Sequence, residues 1–233
     1  MDEQLQLTQL FENLPPMGSK KVAVIIGRFN PPTRGHYAVI DKVKKFIRTH
    51  KKLGLDANPV VVVIGGSKSD SDKKRNPLSV EDRILFMKSS GHANGVNFMT
   101  ATNAFNALAM LRDKGMEPIA IAAGTDRIDD YARILDKHFT YPDGKPIHHY
   151  KILLDRDAKA IETAKDVKQS AMDKALNALK SNGDIDTDLV SGSLARRAVE
   201  LGFEEEFAKI VGLEHNPTLA KRMFEKIKIS LSE

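Results

Sequence analysis

Val22-Ala23-Val24-Ile25-Ile26-Gly27-Arg28-Phe29-Asn30-Pro31-Pro32-Thr33-Arg34-Gly35-His36 changes character twice, and the two changes decide the fold. Val22 to Ile26 is a continuous apolar run without alternation, the pattern of a strand buried on both faces of a parallel sheet. A glycine- and proline-containing loop follows. Beyond it Ile40, Val43 and Ile47 recur at helical spacing, with Val39 and Phe46 widening the stripe. Lys42, Lys44, Lys45 and Arg48 take the other side, so residues 33–50 read as an amphipathic helix.

A strand, a loop and a helix start in that order make an anion site. Free backbone amides and the positive end of the helix dipole face one point. Arg28 adds a bidentate donor, Thr33 adds a hydroxyl, and Gly35 lets the backbone approach closely. Thr33 and His36 are three residues apart and share one face of the first turn.

Working outward, Val60 to Ile64 is a second apolar run, ended by Gly65-Gly66. Residues 80–90 and 103–114 read as helices, and 96–100 as a weaker strand. Pro118 precedes a strand over 119–123, and 149–154 is a fifth strand candidate. Short apolar strands alternating with helices predict an α/β fold: a Rossmann-like, five-stranded parallel sheet with helices on both faces. Ligands bind such sheets beyond the carboxyl ends of the strands. Residues 1–19 read as an N-terminal tail and 20–233 as the folded domain. Within it, residues 158–181 form a long, alanine-rich and charged helix, followed by a polar turn over 182–188. The segment 158–188 is read as a helical insertion, with further helices at the C-terminus.

At 233 residues the chain is long enough for one well-buried core and short for two. Its 41% hydrophobic and 29% charged residues exclude a disordered chain. No apolar run approaches the length of a bilayer span, and residues 1–10 lack the parts of a secretion signal. A soluble, cytoplasmic protein is expected. The absence of cysteine removes disulfides, zinc–thiolate sites and thiol catalysis together, and agrees with a reducing compartment. The formal charge of +5 suits a small polyanion as well as a nucleic acid. No interleaving of aromatic and basic residues and no helix-turn-helix pattern stands out, so nucleic acid is not expected as a partner.

The loop over residues 27–36 resembles the GxFxPxHxGH signature of the nucleotidylyltransferase superfamily, in the variant with threonine (Thr33) for the first histidine. It is neither a Walker A loop nor a GxGxxG loop. Val190-Ser191-Gly192-Ser193-Leu194-Ala195-Arg196 is similar to the family's (I/V)S(S/G)TxxR signature, with Ser193 for threonine. Taken alone, each stretch is an ordinary capped helix start. Together, in this order, they point to the superfamily. Gly65-Gly66-Ser67, then Arg75-Asn76-Pro77-Leu78-Ser79 and Arg83, resemble the archaeal-type nicotinamide mononucleotide adenylyltransferases. Gly124-Thr125-Asp126-Arg127 resembles the family's G(S/T/A)D loop.

The resemblance implies a transferase that moves a nucleoside monophosphate, AMP from ATP, to nicotinamide mononucleotide, releasing pyrophosphate. His36, Thr33 and Arg196 would be catalytic. The nucleotide would meet Gly27, Arg28, Phe29, Asn30, Gly35, His36, Gly124, Asp126, Ser191, Gly192, Ser193 and Arg196. Asn76, Arg83, Asp126 and Tyr131 would meet the acceptor. Mg²⁺ would accompany the triphosphate, with no dedicated metal site in the protein. The chain has no tryptophan, whereas several relatives stack the nicotinamide ring on an aromatic, and Tyr131 is the candidate replacement. His148-His149 is not read as a metal site, because adjacent strand residues point to opposite faces. The expected partners are the nucleoside triphosphate and a small phosphorylated acceptor, without membrane, and with homo-oligomerisation compatible. Other readings are a phosphopantetheine, flavin mononucleotide or phospho-alcohol acceptor, CTP as donor, or a non-catalytic nucleotide-binding protein.

Overall fold

The computed structural model describes residues 20–66, 72–124, 127–140, 144–145, 148–152, 165–182 and 190–233. The N-terminal tail over 1–19, the first part of the inserted helix and residues 183–188 of the polar turn lie outside the described residues, as does Asp126.

Five strands form one parallel sheet: β1 (Lys20–Gly27), β2 (Val60–Ile64), β3 (Asn97–Ala101), β4 (Met116–Ala122) and β5 (Tyr150–Ile152), in the order β3-β2-β1-β4-β5. The interior strands are the continuous apolar runs, and Val22 to Ile26 and Val60 to Val63 are buried without a break. Helices α1 (Arg34–Thr49), α3 (Ala104–Asp113) and α4 (Ile128–His138) flank the sheet; α2 (Val80–Ser89) lies between β2 and β3 in sequence. Val22, Val24, Ile26, Val60, Val62, Ile119 and Ile121 share one cluster with Ala107, Leu108 and Leu111 of α3 and Leu135 of α4. The alternate residues Ala23, Ile25, Val61 and Val63 are also buried, and the crossover that carries α1 places it over them. This is the Rossmann-like architecture read from the sequence.

One boundary differs. The fourth strand begins at Met116, so Pro118 lies inside it rather than before it. Proline has no N–H for the ladder, and the sheet absorbs it at an irregularity: Val22 pairs with Pro118, but Ala23 pairs with Ala120.

The chain divides into two compact units. The sheet unit comprises the described parts of Met1–Gly27, Val39–Ile64 and Gly95–Leu154. The helical unit comprises the described parts of Arg28–Ala38, Gly65–Asn94 and Asp155–Glu233, including α2, α5 (Lys165–Asn182), α6 (Gly192–Glu200), α7 (Glu204–Ile210) and α8 (Pro217–Ser232). Its core joins Leu78 and Phe86 to Leu176 and Leu179 of α5, Leu194 and Val199 of α6, Phe207 of α7 and Phe224 of α8. Length alone predicts a single core. Two form because amphipathic helices distant in sequence pool their apolar faces.

Candidate functional site

In the sheet unit the strand order reverses between β1 and β4, the position at which α/β sheets open a crevice for ligands. Gly27 ends β1, and Gly124 follows β4, so both glycines leave the sheet at that point. Tyr131 is half-buried on α4 and packs against the sheet cluster, which occupies part of its ring.

The other described site residues belong to the helical unit, where Arg28–Ala38 forms a folded loop and the first turn of α1. Thr33, fully buried, takes the N-cap position: its carbonyl accepts from Tyr37 N at 3.2 Å and from His36 N at 2.9 Å. The His36 ring folds back over it. Thr33 N–H donates to His36 Nδ1 at 3.0 Å, and Thr33 Oγ1 lies 2.9 Å from the same nitrogen. This is one half of a capping box, the side chain of the third helical residue reaching back to the N-cap N–H. A backbone N–H can only donate, so Nδ1 is the acceptor and the neutral ring carries its proton on Nε2. The backbone N–H of Thr33 thus fixes the tautomer of His36.

Phe29 is buried with φ of 54°, the left-handed region that a bulky residue rarely enters, and its ring meets His36 edge-on at 5.0 Å. Asn30, also buried, locks the loop: Nδ2 donates to Leu78 O at 3.0 Å, and Oδ1 accepts from Leu78 N at 3.1 Å. The Asn30–Pro31 peptide bond is cis. Arg28 is exposed, but its carbonyl accepts from Arg83 Nη1 at 2.7 Å. Arg83 also gives Nε to Ser79 O at 3.1 Å and is fully buried. The structure therefore places Arg83 as a brace of the loop, and Asn76 beside Leu78 is buried as well.

The second motif reaches the same loop. Ser191 caps α6, its Oγ accepting from Leu194 N at 3.1 Å. Arg196 donates Nη1 to Asn30 O at 2.7 Å and Nη2 to Ser193 Oγ at 3.1 Å. A Cβ on Gly192 would stand 3.0 Å from Asn30 O, a distance real side chains avoid, so glycine is needed for this approach. Arg197 faces away and is held by Asp173 of α5 at 2.8 and 3.2 Å. The two signatures meet at Asn30.

Burial holds the Arg196 guanidinium below its ordinary pKa. The charges of Arg75 and Arg28 push the same way, against the carboxylates of Glu200 and Asp72. Arg28 and Arg75 thus bring positive charge to bear on the Arg196 guanidinium, an arrangement that favours a polyanion. Arg75 is legible in the sequence only as part of a motif. A further set of contacts carried no local signal. Glu214, beyond α7, pairs with Arg34 of the motif, and His92 donates Nε2–H to Gly212 O at 3.0 Å while stacking on Tyr37 at 4.6 Å.

The fold and these two signatures are those expected of a nucleotide-dependent α/β transferase. Residues 24–144, just over half of the chain, match the cytidylyltransferase-like family model, and the chain belongs to that family, within the nucleotidyltransferase superfamily. The match covers the first signature and the segment after β4; the second signature lies beyond it. No curated protein matches the chain. Among the described residues no helix is long and apolar enough to cross a membrane.

Proposed function

We propose that the protein transfers AMP from ATP to nicotinamide mononucleotide, forming the dinucleotide and pyrophosphate. One observation carries the transferase chemistry: a histidine fixed as an Nε2–H donor on the same loop that receives Arg196. An acceptor phosphate is already ionised near neutral pH, so no strong general base is required. Its oxygen attacks the α-phosphorus in line, and the bond to the β-phosphate oxygen breaks. Charge builds on the phosphoryl oxygens, and His36 Nε2–H, Arg196 and Arg28 are the donors that meet it. Thr33 acts through His36, holding the ring in the donor tautomer.

Among the described residues no three carboxylate or imidazole groups gather as a metal cage. Magnesium would arrive with the triphosphate, its ligands phosphate oxygens and water, as is usual for this ion. No step is assigned to it here. The acceptor rests on the resemblance of the Gly65–Arg83 segment, whose Leu78 and Arg83 are the residues tied to the motif loop. The family's name makes CTP the competing donor.

The test supplies Mg²⁺ with ATP or CTP and, in turn, nicotinamide mononucleotide, phosphopantetheine, flavin mononucleotide and a phospho-alcohol. Dinucleotide from ATP and nicotinamide mononucleotide is the expected result. Pyrophosphate release with another pair alone would discard the acceptor and keep the transferase; release with none would discard both.

A further inference from the structure

The edge of the sheet opposite Gly27 and Gly124 gathers residues that the sequence keeps a hundred positions apart. In a parallel α/β unit, helix C-termini and strand N-termini meet at one edge, so the end of α1 and the start of β5 arrive together. Four rings touch there as a compact cluster, in which His50 also lies 6.4 Å from Tyr150. His148 meets Tyr150 edge-on at 5.1 Å, Tyr150 meets Phe46 at 5.4 Å, and Phe46 stacks on His50 at 4.1 Å with 21° between planes. His148 and His50 are exposed, and Tyr150 and Phe46 are half-buried, so the cluster lies open at the surface. His50 is fixed in place by its own helix, with Nδ1 3.0 Å from Phe46 O. The next two residues, Lys51 and Lys52, are exposed and form a short 3₁₀ turn. All six residues belong to the sheet unit.

We propose that this edge binds single-stranded nucleic acid. A cluster of rings followed directly in sequence by two ammonium groups matches the two parts of that ligand: bases stack on the rings, and the phosphate backbone meets the lysines. The cluster exposes His50 and His148 rather than enclosing them, which suits a strand better than a free nucleotide. Interleaving of aromatic and basic residues is absent from the linear sequence; the sheet creates it. The chain's formal charge of +5 favours the same encounter. None of the six residues belongs to the proposed phosphate site, so the two functions are separable.

The experiment follows fluorescence anisotropy of a labelled single-stranded RNA of about a dozen nucleotides, the span of one such platform, titrated with the full chain at low and moderate salt. Binding that weakens steeply with salt is expected. His50→Ala and Tyr150→Leu should each weaken it by roughly five- to a hundredfold, the range for one lost stacking contact. Lys51→Gln with Lys52→Gln should lower affinity and flatten the salt dependence by up to about two contacts. His50→Ala should leave pyrophosphate release unchanged, which also reports that the variant is folded. Tyr150 is partly buried, so His148→Ala serves as the second ring variant if Tyr150→Leu loses stability. Absence of binding at low salt would overturn the proposal. So would equal affinity in the ring variants, or equal binding of duplex RNA or anionic vesicles, since each would reduce this edge to an unspecific basic surface.

Discussion

The two units bury different chemistry. Among the described residues, the sheet unit buries one polar or charged side chain, Glu117, whereas the helical unit buries Asn30, Thr33, Asn76, Arg83, Ser90, Glu206 and Ser230. A buried polar group is costly unless bonded. In the helical unit Asn30, Thr33 and Arg83 take on bonds that no helix or sheet supplies, to the backbone at Leu78, Arg28 and Ser79 or to the ring of His36. Apart from Glu117, the side chains buried among the described residues of the sheet unit are apolar. The helical unit gives up some of that simplicity to hold an irregular loop in one shape.

The sharpest way to break this contrast is one substitution in each unit. His36→Ala should lower kcat by on the order of a hundredfold or more, because a donor aimed at developing charge is lost, with a smaller stability cost of about 1–2 kcal/mol for the Thr33 N–H that loses its acceptor. Ile121→Ala, fully buried near the carboxyl end of β4, should shift the balance the other way. It should cost about 2–5 kcal/mol of stability and leave turnover per folded molecule unchanged. Paired denaturation and pyrophosphate-release measurements separate the two. An undiminished rate in His36→Ala would remove His36 as the key donor.

Arg83→Met tests whether the buried polar groups act as braces. The aliphatic stem is kept, but Arg28 O loses its donor, whereas Ser79 O keeps the backbone N–H of residue 83. Leaving one such group unsatisfied costs roughly 1–3 kcal/mol, so a loss of that order is expected, together with a higher KM for the triphosphate. Unchanged stability with only the acceptor KM raised would instead return Arg83 to the acceptor-binding role read from the sequence.

The elements of the sheet are legible in the sequence, the division into two cores is not, and the limits have physical causes. The interior strands and α1 announce themselves by period and burial, because one apolar pattern serves each element. Pro118 did not: its missing N–H argues for a strand boundary, and only a shift in the partner strand lets it stay inside. The capping of α1 by Thr33 is a local pattern, yet the fold-back of His36 needs coordinates. The lock between Asn30 and Leu78, and the bond from Arg196 to Asn30 O, join residues far apart in the chain and leave no local trace. Arg83 was legible as a motif residue and not as a brace, because a motif shows that a side chain matters without showing which way it faces.

Gly192→Ala sharpens the junction of the two signatures. The added methyl would meet Asn30 O at 3.0 Å, so α6 or the loop must shift by a few tenths of an ångström. A guanidinium held between Asn30 O at 2.7 Å and Ser193 Oγ at 3.1 Å does not follow that shift without loss. The expected result is a rise of roughly tenfold in KM for the triphosphate, as for a weakened charge-assisted hydrogen bond, with a smaller change in kcat. Isothermal titration with a non-hydrolysable triphosphate checks the binding part directly. Wild-type affinity in this variant would mean that Arg196 reaches its ligand without the contact at Asn30.

The smallest effect concerns Tyr37, one residue after His36 and buried in the helical unit. Among the described residues its hydroxyl has no partner at normal hydrogen-bond geometry, and burial pushes its pKa up to about 12, with the nearby Ser90 hydroxyl offsetting only part of that shift. The folded-state value lies above the ordinary phenol value near 10, so the folded chain resists deprotonation that the unfolded chain accepts. Stability from this source is complete below about pH 10 and is lost as pH rises from there through about 12. Tyr37→Phe removes the ionisable group while keeping the ring against His92. At neutral pH it should change stability by less than about 1 kcal/mol, since no hydrogen bond is broken. Between pH 10 and 12 its denaturation midpoint should fall less steeply than that of the parent. Parallel slopes in the two proteins would show that Tyr37 ionises as freely in the folded chain as in the unfolded one, and that this part of the helical unit is not closed to water.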